Sequence, residues 1–434
     1  MTGESALHRL SLGEARARVG DGSLQPSQYA AWLLAHAQRT DADIHAWTHL
    51  DPRQVAARAA AADLVHPTAH AALQGMPIGV KDIIATATMP TQYGSPVYAG
   101  HFEADDAECV RRIDVAGGYV MGKTVTTEFA FMQPSAARNP WNTMHTPGGS
   151  SSGSAAAVAA YQVPAAIGSQ TNGSVIRPAA FCGVVGFKPT LGAISTSGVL
   201  VFSETLDTLG TFARSVEDAA RLASIVASDG RIAPKIVARA RPPRIALLDR
   251  FGWTTIDIEA TAALDAAARR LRIAGADVSA TSLPAALLAA PRIHRTLMLH
   301  EAMRNLARLP REKLSATLVR ALDEGAGIDR AQYESAFTER AVLVDVAREW
   351  MTGFDAVMSP PATGAAPASL DTTGDPACCT LWSLLGFPAI ALPIGLAANR
   401  MPLGMQLAST ANDDDSLLSV AAWIEARLPF RGLP

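Results

Sequence analysis

Lysine is nearly missing from this chain. Of 37 basic residues only five are lysines (Lys81, Lys123, Lys188, Lys235 and Lys313), and the other 32 are arginines. Arginine therefore serves almost wherever a surface cation will do. Only an amine can give up its proton at ordinary pH, so each remaining lysine marks a place where a neutral base could be wanted. Lys81 ranks first, because it sits in the apolar stretch Ile78-Gly79-Val80-Lys81-Asp82-Ile83-Ile84. Cysteine is also scarce. Cys109, Cys182, Cys378 and Cys379 include one adjacent pair and show no metal-ligand spacing. This excludes a disulfide framework and fits a reducing compartment. Long apolar runs are lacking too. The longest weakly polar run, Ser154 to Gly168, is broken by Pro164, which excludes a transmembrane span. The N-terminal residues are polar and do not resemble a signal peptide, so the expectation is a soluble, cytoplasmic chain. Net charge is only −3, which argues against a nucleic-acid surface or a polybasic membrane surface.

What is present is material for a large core. With 434 residues, 49% of them hydrophobic, a disordered or fibrous chain is excluded. Residues 1–70 read as helical: Ser11 to Glu14 forms a capping-box pattern. A second helix follows Ser27, with Trp32, Leu33 and Leu34 as its buried face, and Arg53–Leu64 is a third. From Gly75 the texture becomes α/β, with strands expected at Pro77–Val80 and Tyr119–Gly122 around a helix at Ala107–Ala116. Residues 143–210 are dominated by Gly, Ser, Thr and Ala, as where backbone runs close to a ligand or another backbone. Strands are expected at Arg244–Asp249, Asp277–Leu283, Phe354–Met358, Ala389–Leu392 and Gly404–Leu407. Helices are expected at Glu259–Ile273, through most of 285–350, and at Asp415–Leu428. No repeat or long linker divides the chain, so one large α/β domain covering 1–434 is the economical reading.

Several motif matches fail on context. Gly117 to Thr124 fits the P-loop pattern, but a helix precedes it and its Tyr-Val-Met reads as the strand itself. Gly149-Ser150-Ser151-Ser152-Gly153 fits the nucleophile elbow, but a loop rather than an apolar strand leads into it. His66 and His70 have metal-like spacing with no third ligand nearby, and Pro67 disturbs the helix they need. Asn172-Gly173-Ser174 is a sequon that a cytoplasmic chain would not use. Cys182 reads as a packed small residue rather than a nucleophile.

Three elements remain: Lys81, the turn Thr146–Ser154, and the run Gly168–Gly183 followed by Gly186–Thr190. A serine hydroxyl is a poor nucleophile until a base takes its proton, and no histidine pairs convincingly with these serines. A desolvated lysine can be neutral near pH 7, because burial disfavours its charge. The Thr171–Ser174 segment could turn several N–H groups inward to hold an oxyanion, worth about 3–4 kcal/mol per donor. Residue chemistry alone leaves catalysis and tight Gly/Ser packing equally open.

These segments resemble the amidase signature family. The resemblance is dense from Gly75 to Gly210 and returns in Phe354–Pro361, Gly386–Ala389 and Leu403–Leu407. It implies a single large domain with a mixed twisted β-sheet surrounded by α-helices, with 75–210 as the signature core and 285–350 as a helical substrate-pocket insertion. It implies Ser174 as nucleophile, Ser150 (after a cis peptide bond) as bridging serine, Lys81 as base, and the backbone of Thr171, Asn172, Gly173 and Ser174 as oxyanion hole. It implies no cofactor and no metal. Two positions depart from the family's usual pattern: Gln170 stands where many members carry Asp, and Asn172 where many carry Gly.

Within the family the resemblance is to malonamidase-like members, through Ser174-Val175-Ile176-Arg177, Thr373–Pro376 and Leu381-Trp382. That implies a small carboxylated amide such as malonamate, its carboxylate held by Arg177; Asn172, Gln170 and Ser151 are further candidates for contact with the substrate. The alternative for Arg177 is an internal ion pair. The expected partner is a small-molecule amide, not nucleic acid or membrane, with a homodimer allowed for. Competing readings are the amidase subunit of a tRNA-dependent amidotransferase, for which the chain looks short, a non-catalytic interaction-only relative, and an aryl-acylamidase or esterase using the same triad.

Overall fold

A computed structural model describes residues 7–65, 72–228, 230–237 and 239–434. Among them, eleven strands form one sheet. They are β1 (Trp47–His49), β2 (Pro77–Lys81), β3 (Tyr119–Thr124), β4 (Ala165–Gln170), β5 (Val185–Lys188), β6 (Thr208–Ala213), β7 (Arg244–Leu247), β8 (Asp277–Ala280), β9 (Ala356–Ser359), β10 (Ala389–Leu396) and β11 (Pro402–Ala408). Their order is β1-β3-β2-β4-β6-β5-β10-β11-β9-β7-β8. The sheet is mixed. β3, β2 and β4 run parallel, as do β9, β7 and β8, while the strands between them pair antiparallel.

The expected strands at 77, 119, 244, 277, 354, 389 and 404 are all present within a few residues. The central strands β2, β3, β4 and β6 are buried along their whole length, so they carry no polar alternation. That is why β4, β5 and β6, inside the small-residue stretch, gave no periodic signal. Their small residues have a steric reason. A Cβ on Gly168 would lie 2.5 Å from Ser151 Oγ, and one on Gly153 would lie 2.2 Å from the Ala46 carbonyl.

Helices cover the sheet, as expected of the fold. Leu12–Gly20 opens with the capping box, Ser11 accepting from Glu14 N and Glu14 from Ser11 N. Pro26–Ile44 begins one residue before Ser27, with Pro26 in its first turn, where its missing N–H costs nothing. Its buried face runs through Tyr29, Ala30, Leu33 and Leu34, and Trp32 is only half-buried. Pro52–Asp63, Glu108–Val115 and Ile258–Ile273 follow the sequence closely. The stretch 285–350 contains Ala290–Leu306, Ala316–Ala326 and Arg330–Trp350, and Asp414–Glu425 closes the chain. No described helix is long and apolar enough to cross a membrane.

Candidate active site

The site begins where parallel strands end together. β2 ends at Lys81, which is in register with Thr124 at the end of β3, and β4 ends at Ser169 and Gln170. The carboxyl ends of adjacent parallel strands form a natural crevice. Lys81 is 0% exposed there. Its Nζ lies 2.7 Å from Ser150 Oγ and 2.8 Å from Ser169 Oγ. Burial lowers the Lys81 pKa to about 7, opposed by the charge of Asp207. Ser169 was not singled out by sequence, because one serine among many carries no signal.

The serine-rich turn separates its members by role. The Gly149–Ser150 peptide bond is cis, and only Ser150 reaches Lys81. Ser151 Oγ donates to the Ser169 carbonyl (3.1 Å) and accepts from Ser169 N (3.2 Å). Ser152 Oγ donates to Gly148 O and Ser154 Oγ to Ile167 O. Ser151 is fully buried, so the expectation that it touches substrate gives way to a role in joining the turn to β4. The elbow reading of Gly149–Gly153 fails for the same reason.

Ser174 lies between β4 and the helix Ile176–Cys182 and keeps 8% exposure. No hydrogen bond joins it to Ser150 among the described residues. Gln170 holds its loop from below. Gln170 Oε1 accepts from Val175 N (2.8 Å) and Ile176 N (3.0 Å), and Nε2 donates to Ser383 Oγ (2.9 Å). With both amide ends used and the residue fully buried, Gln170 is a loop brace and not the substrate ligand expected. Thr171 Oγ1 donates to Asp207 (2.6 Å), and the Thr171 carbonyl lies 3.0 Å from His294 Nε2. Burial raises the Asp207 pKa and lowers that of His294 to about 4. Among the described residues, the N–H groups of Asn172, Gly173 and Ser174 donate to no protein acceptor.

Arg177 is 2% exposed. Its Nη2 donates to Gly149 O (2.7 Å) and Thr373 Oγ1 (3.2 Å), tying the helix after Ser174 to the turn before Ser150. Among the described residues, Nε and Nη1 are buried without a partner. Among the described residues it forms no ion pair, so the expected alternative of an internal pair is not what the structure has. Burial lowers its pKa to about 10.

Asp207 and His294 were missed because neither stands in a motif. They lie 36 and 123 positions from Thr171. Glu301 was missed likewise; it accepts from Ser203, Thr205 and Tyr333 and binds helix Ala290–Leu306 to the loop carrying Asp207. Lys123, the lysine of the P-loop look-alike, lies within β3. It faces Ile84 O (2.7 Å), Thr91 Oγ1 (2.6 Å) and Asp82 (3.4 Å), a buried brace rather than a phosphate ligand. Cys182 is buried with its thiol pKa pushed up by burial. His66 and His70 lie outside the described residues. Among the described residues no group of three or more His, Cys, Asp or Glu is placed to hold a metal ion.

Comparison with known proteins shows the family. The family model described as Amidase matches residues 30–418. A glutamyl-tRNA(Gln) amidotransferase subunit of Solidesulfovibrio magneticus is 32% identical, over 98% of each chain. The peptide amidase of Stenotrophomonas maltophilia is 29% identical, with a TM-score of 0.83 over 98% of each chain. A 6-aminohexanoate cyclic dimer hydrolase is 26% identical, with a TM-score of 0.86 over 98% of each chain. Those relatives are spanned almost end to end, so the apparent shortness of this chain separates nothing. The chain belongs to the amidase signature family, enzymes that act on the carbon–nitrogen bond of amides.

Proposed function

We propose that this protein hydrolyses a small carboxylic amide to an acid and ammonia through an acyl-enzyme on Ser174. The observation that carries the reading is the 2.7 Å contact between a fully buried lysine amine and Ser150 Oγ. A neutral amine has a lone pair for the Ser150 proton, and Ser150 then takes the proton of Ser174. Ser174 Oγ attacks the carbonyl carbon, and the oxyanion takes hydrogen bonds from the loop Thr171–Ser174. The relay returns its proton to the amide nitrogen as the C–N bond breaks, and ammonia leaves. Water then attacks the ester, losing its proton to the same relay, and Ser174 is restored. Arg177 Nε and Nη1, without a partner among the described residues, support a substrate carboxylate through charge-assisted hydrogen bonds. Ser174→Ala is expected to abolish both ammonia release and labelling by a fluorophosphonate, with an unchanged circular dichroism spectrum. Full turnover in that variant refutes the assignment.

A second reading has the amidotransferase relatives on its side. The same triad would then release ammonia from glutamine within a complex. Hydrolysis of malonamate by the purified chain alone favours the first reading. Glutamine hydrolysis that appears only with partner subunits favours the second.

A further inference from the structure

Gln170 and Asn172, the two positions where the chain leaves the family's usual residues, are held by one short helix. Thr380 and Ser383 stand three residues apart on Thr380–Leu385 and so share a face. Ser383 Oγ accepts from Gln170 Nε2 and donates to the Asn172 carbonyl. Thr380 Oγ1 lies 3.0 Å from Asn172 Oδ1 and 3.4 Å from Pro376 O. A hydroxyl has one proton to give, and the shorter contact takes it. The carbonyl end of the Asn172 amide is thereby used. Its N–H2 end is not among the buried unpartnered atoms and bonds to no described residue. Asn172 is half-buried and two residues from Ser174.

We propose that Thr380 and Ser383 are positioning residues that present the Asn172 amide N–H2 to the substrate, selecting amides that carry a carbonyl or carboxylate oxygen close to the scissile bond. This rests on the amide-hydrolase reading above. A glycine at 172 offers no such donor. A substrate without an acceptor leaves the Asn172 donors desolvated and unpaired, which is how a polar site rejects an apolar analogue. Ser383 fixes the backbone and Thr380 fixes the side chain, so the two functions separate by mutation.

The test compares kcat/KM for malonamate, acetoacetamide (a neutral acceptor) and isovaleramide (an apolar isostere). Wild-type enzyme is expected to favour the first two. Asn172→Gly and Thr380→Val are each expected to lower kcat/KM for those two by about tenfold, the worth of one hydrogen bond. For Thr380→Val, isovaleramide should change by no more than about twofold, a loss below that of one hydrogen bond, while Asn172→Gly, which also alters the oxyanion loop, is judged by its loss on the first two amides relative to isovaleramide. Thr380→Ser keeps the hydroxyl and should restore the preference, which a merely packed Thr380 would not require. Asn172→Asp offers only acceptors and should reject malonamate most. Equal losses on all three amides, or a wild type with no preference, overturn the proposal. If no amide is hydrolysed but Ser174 is still labelled by the fluorophosphonate, the substrate class is wrong and the nucleophile stands. If Ser174 is not labelled, the functional reading itself fails.

Discussion

Lys81 gates the proposed chemistry through one proton. Its amine is the base only when neutral, and burial brings its pKa down to about 7. Activity should therefore fall about tenfold per pH unit below 7 and level off above it. A pH profile of kcat/KM on a substrate that does not titrate there checks the sign, and a rate that rises on acidification contradicts the assignment. Lys81→Arg keeps the charge but cannot lose the proton, so a loss of about 10²–10⁴-fold is expected at every pH. Arg177 offers a second residue-scale test. Arg177→Ala removes the donor to Gly149 O in every case, so some kcat is lost with any substrate. KM for malonamate should rise far more than KM for isovaleramide, and steady-state kinetics with the pair decides whether the free nitrogens meet a carboxylate. Lys81 was legible in the sequence because a lone lysine in an apolar strand is anomalous. Asp207, His294, Thr380 and Ser383 were not, because each is an ordinary polar residue whose partner lies far away in the chain.

Among the elements, the helix Ser152–Ala159 shows why the small-residue stretch is small. It is buried along its whole length, with no polar face. A Cβ on Gly153 would meet the Ala46 carbonyl at 2.2 Å and Val125 N at 2.4 Å. Both are backbone atoms and cannot rotate aside. Gly153→Ala should therefore cost about 3 kcal/mol, the upper range for overpacking, measured by denaturant unfolding. Unchanged stability would mean that this helix sits farther from β3 and the Ala46 backbone. The expected strands were those with β-branched residues between turn signals. β4 is mostly Gly, Ser and Ala, and β5 and β6 are short and buried along their whole length, so none of the three shows a period, and pairing with their neighbours makes them strands. The helical stretch 285–350 was readable as helix, but its attachment to the Ser174 loop through His294, and to the Asp207 loop through Glu301, was not.

At the scale of the whole molecule, one sheet and one main apolar cluster run from Leu12 to Leu428. The β9-β7-β8 end is hydrogen-bonded to the rest through β11. Heating should then give one transition, with near-UV and far-UV circular dichroism coinciding. Two separated transitions would show that the β7–β8 region unfolds on its own. By itself, the sequence determined the α/β class, most element positions, the family, and the unusual lysine, since these rest on local pattern and on motifs of neighbouring residues. Tertiary structure alone decided that Lys81 meets Ser150 and Ser169, that Ser151 and Gln170 are internal braces, and that Arg177 is buried without an ionic partner among the described residues. Most of those outcomes depend on contacts between residues tens to hundreds of positions apart. Spacing along a chain carries no record of such distances until the strands have paired and water has been expelled from between them.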